Sequence, residues 1–189
     1  VIKRFTKQEC EFGYRESVFK HTFKNKFLIS SVSFRLKKQP TLNTSYGAIN
    51  AELKVMGIEN PGIKDVSNAV IRIRTSKLPD PRELGNAGSF FKNPEVSAVV
   101  YASLKAKFPD LVAYPLENKN YKLAAGWLIE QSGLKGYRIG DAGVHKLQAL
   151  VLVNYGGATG ADIYNLSSHV VNTVKEKFGI ALEREVNII

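Results

Sequence analysis

Gly85-Asn86-Ala87-Gly88-Ser89-Phe90-Phe91-Lys92-Asn93-Pro94 is the segment of this chain best suited to chemistry. Glycines four positions and one position before the serine point to a sharp turn that leaves its hydroxyl exposed. The two phenylalanines bury themselves and anchor that turn. Asn93 before Pro94 predicts a helix start, with the asparagine as N-cap and the proline at the first helical position. A serine held at such a junction could give a proton to a bound molecule. The same residues also make an ordinary turn whose serine only satisfies backbone.

Three other segments set polar groups among glycine, aromatic or strand residues. Residues 11–20 hold Tyr14, Arg15 and Glu16; residues 74–81 hold Lys77 before Leu78-Pro79-Asp80-Pro81; residues 182–186 hold Glu183, Arg184 and Glu185. An arginine fork suits a carboxylate. On residue type alone, Arg15 serves equally as a surface partner for Glu16, and Glu185 as a solvated strand carboxylate.

The elements that must position these groups follow from periodicity. Residues 27–36 end in alternation, with Val32, Phe34 and Leu36 on one face, and predict a half-buried strand. Ile63, Val66, Val70 and Ile73 recur at helical spacing and predict a helix over 62–75, ended by Pro79 and Pro81. Val96, Val99, Val100 and Leu104 mark a helix from Pro94 to about Phe108. Leu123, Trp127 and Leu128 mark another over 122–132, with Gly133 as its cap. A buried strand is predicted over 147–154, a turn over 156–160, a helix from Ile163 to Phe178 capped at Gly179, and a strand over 182–189. Helices and strands mix without a regular βαβ repeat, so the class is α+β. The glycines at 156, 157 and 160 miss the spacing of a dinucleotide-binding turn.

Composition narrows the function. The chain has 189 residues and a net charge of +10, which favours anionic partners. The lysines are scattered, and no nucleic-acid motif interleaves them with aromatics, so a small anionic ligand is favoured over nucleic acid. No apolar run reaches the length of a membrane span, and no signal peptide opens the chain. One cysteine, Cys10, allows no internal disulfide and fits a reducing cytosol. His21, His145 and His169 lie far apart, and no metal spacing is visible. The absence of an initiator Met before Val1 points to a piece of a longer protein.

Together the four polar segments resemble the UDP-N-acetylenolpyruvoylglucosamine reductase family, flavoproteins of peptidoglycan precursor synthesis. Gly85 to Pro94 is the most specific motif; Lys122-Leu123-Ala124-Ala125-Gly126-Trp127-Leu128-Ile129, Val144-His145 and Ala149-Leu150-Val151 extend the match from about Cys10 to Ile189. The resemblance implies the end of an FAD-binding domain over 1–78, a substrate-binding domain over 79–178 and a strand returning to the FAD-binding domain over 179–189. Nothing before Cys10 resembles the glycine-rich diphosphate loop with which the family begins.

The family reaction uses FAD and NADPH to reduce the vinyl ether of UDP-N-acetylglucosamine enolpyruvate, giving UDP-N-acetylmuramate in the cytoplasm. The intermediate is carbanion-like, its charge spread into the carboxylate, and it needs positive charge there and a proton source at carbon. The resemblance makes Arg15 the charge-stabilising cation, Ser89 the proton donor and Glu185 a third catalytic group. It places Tyr14, Tyr46, Lys77, Asn93, Tyr114, Lys135 and Gln148 against the UDP-sugar, and leaves His145 between binding and structure. Relatives commonly carry Pro where this chain has Arg184, Arg where it has Asn187, and Gly where it has Asp141. Because the flavin segment is absent from the match, a UDP-sugar-binding module without chemistry of its own is the second reading. The exact chain is expected to be colourless and inactive.

Overall fold

The structure is a computed structural model that describes residues 1–13, 16–45 and 47–188. It divides into two units, Val1–Thr41 and Leu42–Ile189.

The first unit is built from turns and one 3-10 turn at Val18–Lys20. Phe5, Phe19, Phe23 and Phe27 gather their rings with centroids 5.1 to 6.4 Å apart, mostly edge to face. Buried Cys10 accepts the Val18 N–H through its carbonyl at 3.0 Å and behaves as a small apolar residue. The strand predicted over 27–36 is not there: among the described residues nothing pairs with it, and Val32, Phe34 and Leu36 are 62%, 79% and 83% exposed. Alternation assigns side chains to faces, but a strand also needs a neighbouring edge to take its N–H and C=O groups.

In the second unit, α1 (Ile49–Val55) and α2 (Ile63–Lys77) form a helical pair around Ile49, Leu53 and Ala69. Asp65 accepts the Gly62 N–H at 2.8 Å and starts α2; extended Leu78, ahead of Pro79, stops it as the prolines require.

The remaining elements share one core. An antiparallel sheet runs β1-β7-β6-β5, from β1 (Gly85–Ser89), β5 (Arg138–Ile139), β6 (Ala142–Val144) and β7 (Val151–Asn154). A second runs β2-β4-β3, from β2 (Glu95–Val96), β3 (Ala113–Pro115) and β4 (Tyr121–Leu123). The helices α3 (Ala98–Lys107), α4 (Ala125–Gln131) and α5 (Gly160–Phe178) complete it. Leu123, Leu128, Ile129, Val144, Leu166, Val170 and Val174 lie at its centre, all essentially without exposure. Thr159 and Asp162 close a capping box at the start of α5, and left-handed Gly179 ends it where the sequence predicts. The mixed helices and antiparallel sheets are the α+β class read from the pattern.

Two predicted helix starts shift. Asn93-Pro94 does not open α3: the Pro94 carbonyl accepts the Leu123 N–H at 2.9 Å, and Glu95 and Val96 pair with Lys122 and Tyr121. The second sheet claims this stretch, so α3 begins after Ser97, whose hydroxyl accepts the Val100 N–H. Likewise Lys122 and Leu123 belong to β4, and α4 begins at Ala125.

Candidate functional site

Ser89 ends β1, and a bulge sets its position. Asn86 pairs with Val153 and Ser89 with Val151, so β1 spends one residue more than β7 over the same stretch. The extra residue needs a left-handed backbone, which Gly88 supplies at φ +72°. Asn86 builds the bulge from within: its Oδ1 accepts the Gly88 N–H at 3.0 Å, and its Nδ2 donates to the Leu84 carbonyl at 2.8 Å. The predicted sharp turn is thus a bulged strand. Buried Phe90 and Phe91 anchor it as expected, and Ser89 is exposed.

Glu185 arrives beside it through the backbone. The Phe90 N–H donates to Leu150 at 2.7 Å, while the Phe90 carbonyl accepts the Glu185 N–H at 2.8 Å. The Lys92 N–H donates to Glu183 at 2.9 Å, and Phe91 faces Arg184 in antiparallel register. Lys92 and Glu183 form an ion pair across the two segments. Glu185 is exposed, as Ser89 is. The backbone partner of Glu185, Phe90, is therefore the residue next to Ser89.

Two binding candidates meet at the start of α4. Asn93 accepts the Ala125 N–H through Oδ1 at 2.9 Å. It is a cap, as its type predicts, but for a helix thirty residues on. Gln148 holds Oε1 so close to Gly126 that an added Cβ would sit 3.4 Å from it. The Leu150 N–H, next to the carbonyl bound by Phe90, also reaches Gln148 Oε1 at 3.4 Å. Ser89, Asn93, Gln148 and Glu185 are thus linked through Phe90, Leu150 and α4.

The other candidates sit on or beside other elements. Lys77 is exposed at the end of α2, and Tyr114 is exposed on β3 opposite Lys122. Lys135 follows α4 and pairs with Glu130 at 2.7 Å. Arg15, Tyr14 and Tyr46 lie outside the described residues. His145 is buried, with Nδ1 lacking a hydrogen-bond partner among the described residues. Burial first, and the Lys146 ammonium second, hold its pKa below the ordinary histidine value.

The glycines before α5 do not fit a flavin diphosphate. Thr159 and Asp162 already occupy the helix entrance, and Asp141 accepts the Gly157 N–H at 2.8 Å. That N–H, and secondarily Arg138, lower the Asp141 pKa and keep it anionic. Carboxylates thus already take N–H groups of this turn that a phosphate would need. Asp141 clips β5, β6 and the 155–157 turn together: Arg138 donates to it at 2.6 Å while the Arg138 guanidinium lies 4.2 Å from the Tyr155 ring. Among the described residues no cluster of His, Cys, Asp and Glu could hold a metal ion, and no helix is long and apolar enough to cross a membrane.

The strand expected over 182–189 is reduced to one isolated bridge, Phe91 to Arg184, among the described residues. An α+β domain whose bulged strand presents a serine, with the Glu185 segment bridged to the residues that follow it, defines the class at the level of fold and site. The chain belongs to the UDP-N-acetylenolpyruvoylglucosamine reductase, C-terminal domain family, whose model matches residues 80–189. It is 57% identical over 188 residues to the UDP-N-acetylenolpyruvoylglucosamine reductase of Flavobacterium johnsoniae, covering 99% of this chain and 56% of that protein. The enzyme of the same name from Pseudomonas syringae pv. tomato is 52% identical, over 99% of this chain and 55% of that protein. The one from Chromobacterium violaceum is 56% identical, over 96% and 53%. The chain spans about half the length of the curated relatives it matches. A solved reductase structure from Thermus caldophilus overlaps at a TM-score of 0.39 and 26% identity, over 66% of this chain and 33% of that one, too little to bear on the fold.

Proposed function

We propose that this chain is the substrate-side portion of a cytoplasmic NADPH-dependent, FAD-containing reductase that converts UDP-N-acetylglucosamine enolpyruvate to UDP-N-acetylmuramate. In that reading residues 1–78 end the FAD-binding domain and 79–178 bind substrate. Residues 179–189 then turn back toward the FAD-binding domain, with Ile180 and Leu182 still in the substrate domain's core. The family membership and the start of its model at residue 80 support the partition. The glycines before α5 offer no seat for a flavin diphosphate, so the roles that follow concern the enolpyruvyl group alone.

Reduction adds a hydride to the terminal carbon of the double bond and leaves electron density on the adjacent carbon and its carboxylate. Ser89 gives its hydroxyl proton to that adjacent carbon. A serine is a weak acid, but the carbon is strongly basic and the proton moves within a substrate-covered site. Arg15 pairs with the carboxylate and takes up its added charge. Glu185 polarises the intermediate from the neighbouring segment. Asn93 keeps its Nδ2 for the ligand because only Oδ1 is spent on Ala125. Tyr14, Tyr46, Lys77, Tyr114, Lys135 and Gln148 grip the UDP-sugar, the lysines at its diphosphate.

The single observation that carries this reading is the hydrogen bond from Glu185 to Phe90, which sets the carboxylate's segment against the serine's strand. The test is oxidation of NADPH by the protein as encoded, with all flanking sequence, when the enolpyruvyl substrate is added, and detection of the muramate by mass. No product would reject the reading. A colourless 189-residue chain that UDP-N-acetylglucosamine nevertheless stabilises to heat would favour the binding module.

A further inference from the structure

Arg184 stands between Glu183 and Glu185, and its side chain is held by α5. Its Nε donates to Ser167 Oγ and its Nη2 to Ser168 Oγ, both at 2.7 Å, and its guanidinium lies 4.6 Å from the Tyr164 ring centroid. The two hydroxyls can accept because their own protons go to the Tyr164 carbonyl, at 2.7 and 3.0 Å. Ser167 is completely buried on α5, so the anchor is rigid. One side chain thereby fastens residues 183–185 to a helix turn by two hydrogen bonds and a cation–π contact.

The backbone at this position would also admit a proline. Phe91 faces Arg184, but the ladder bonds fall on its neighbours, from Lys92 to Glu183 and from Glu185 to Phe90. The Arg184 N–H is not spent on that ladder, so a proline there costs no bond. A proline would fix φ and hold Glu183 extended. Arg184 achieves the same restriction from outside, through α5.

We propose that Arg184 is a positioning residue that holds Glu185 against the Ser89 strand, doing with a side chain what proline does with a ring. The proposal rests on the reading of Glu185 as a group that acts on substrate. It is not a charge role, because the guanidinium is committed to α5.

Two readouts separate the proposal from that reading. In the 189-residue chain, Arg184→Ala should raise the hydrogen-exchange rate of the Glu185 amide about tenfold, with Val170 and Val174 on α5 unchanged as the folding control. Ser168→Ala, which removes one of the two bonds, should raise it about threefold. Arg184→Pro should restore slow exchange. In the protein as encoded, Arg184→Ala should lower kcat about tenfold or more with KM nearly constant, and Arg184→Pro should recover most of the loss. Unchanged Glu185 exchange in both Arg184→Ala and Ser168→Ala overturns the proposal whatever the activity. So does an Arg184→Pro variant as impaired as Arg184→Ala, since that would require the charge itself. If the unsubstituted protein shows no reductase turnover, the reductase reading fails and exchange alone decides the positioning.

Discussion

Residues 27–36 and residues 182–187 carry the same alternating pattern and meet opposite fates. In the first, Val32, Phe34 and Leu36 stand in solvent with no partner strand among the described residues. In the second, Leu182 is buried, Arg184 and Val186 are half-buried, and Glu183, Glu185 and Asn187 are exposed. The second segment has one antiparallel bridge to residues 90–92, an ion pair at Lys92–Glu183 and the Arg184 anchor on α5. Alternation decides which residues would share a face. Docking is decided by a free edge, a core beneath it and side chains that fasten it.

The comparison can be broken most severely at Phe91, which is 1% exposed and faces Arg184 in the stretch that the docked segment pairs with. Phe91→Ala should cost about 3–5 kcal/mol in denaturant unfolding. A proline scan sharpens the contrast. Glu185→Pro removes the N–H bound to Phe90 and strands its carbonyl, at about 1–3 kcal/mol. Val32→Pro breaks no bond, and its stability should lie within about 0.5 kcal/mol of the parent. Gly88→Ala forces a side chain into φ +72° and should cost about 1–2 kcal/mol, although nothing lies within 4 Å of the added Cβ.

A smaller contrast lies in pH. The His145 N–H donates to the Val151 carbonyl, so the histidine is built into the sheet behind Ser89, and its folded pKa is depressed by burial. The unfolded chain therefore takes up the proton first, and stability should decline as pH falls below about 6.5, down through the folded value. Thermal melts from pH 7.5 to 5 should show this decline in the parent and lose it in His145→Gln. The 27–36 segment contains no histidine and should contribute nothing to it.

Local signals in the sequence survived where short-range chemistry enforced them. The α2 stripe, the prolines after it and left-handed Gly179 at the end of α5 fall where periodicity and capping put them. Long-range pairing was not legible. Asn93 is a cap by type, yet nothing local says that it caps Ala125, and nothing local assigns Glu95 and Val96 to a sheet. The glycines around Ser89 read as a turn because a bulge needs the same backbone freedom; only the register against β7 tells them apart. Ser167 left no trace as a single buried serine on a helix, and Arg184 was visible only as a departure from a pattern. Glu185 drew notice through family resemblance, since a strand carboxylate by itself is ordinary surface.

The central claim is that the hydroxyl presented by the β1 bulge delivers the proton that completes reduction. Ser89→Ala in the protein as encoded, assayed with NADPH and the enolpyruvyl substrate, tests it directly. The account predicts a fall in kcat of about 10²–10⁴-fold with KM changed only a few-fold. Turnover at the parent rate would contradict it.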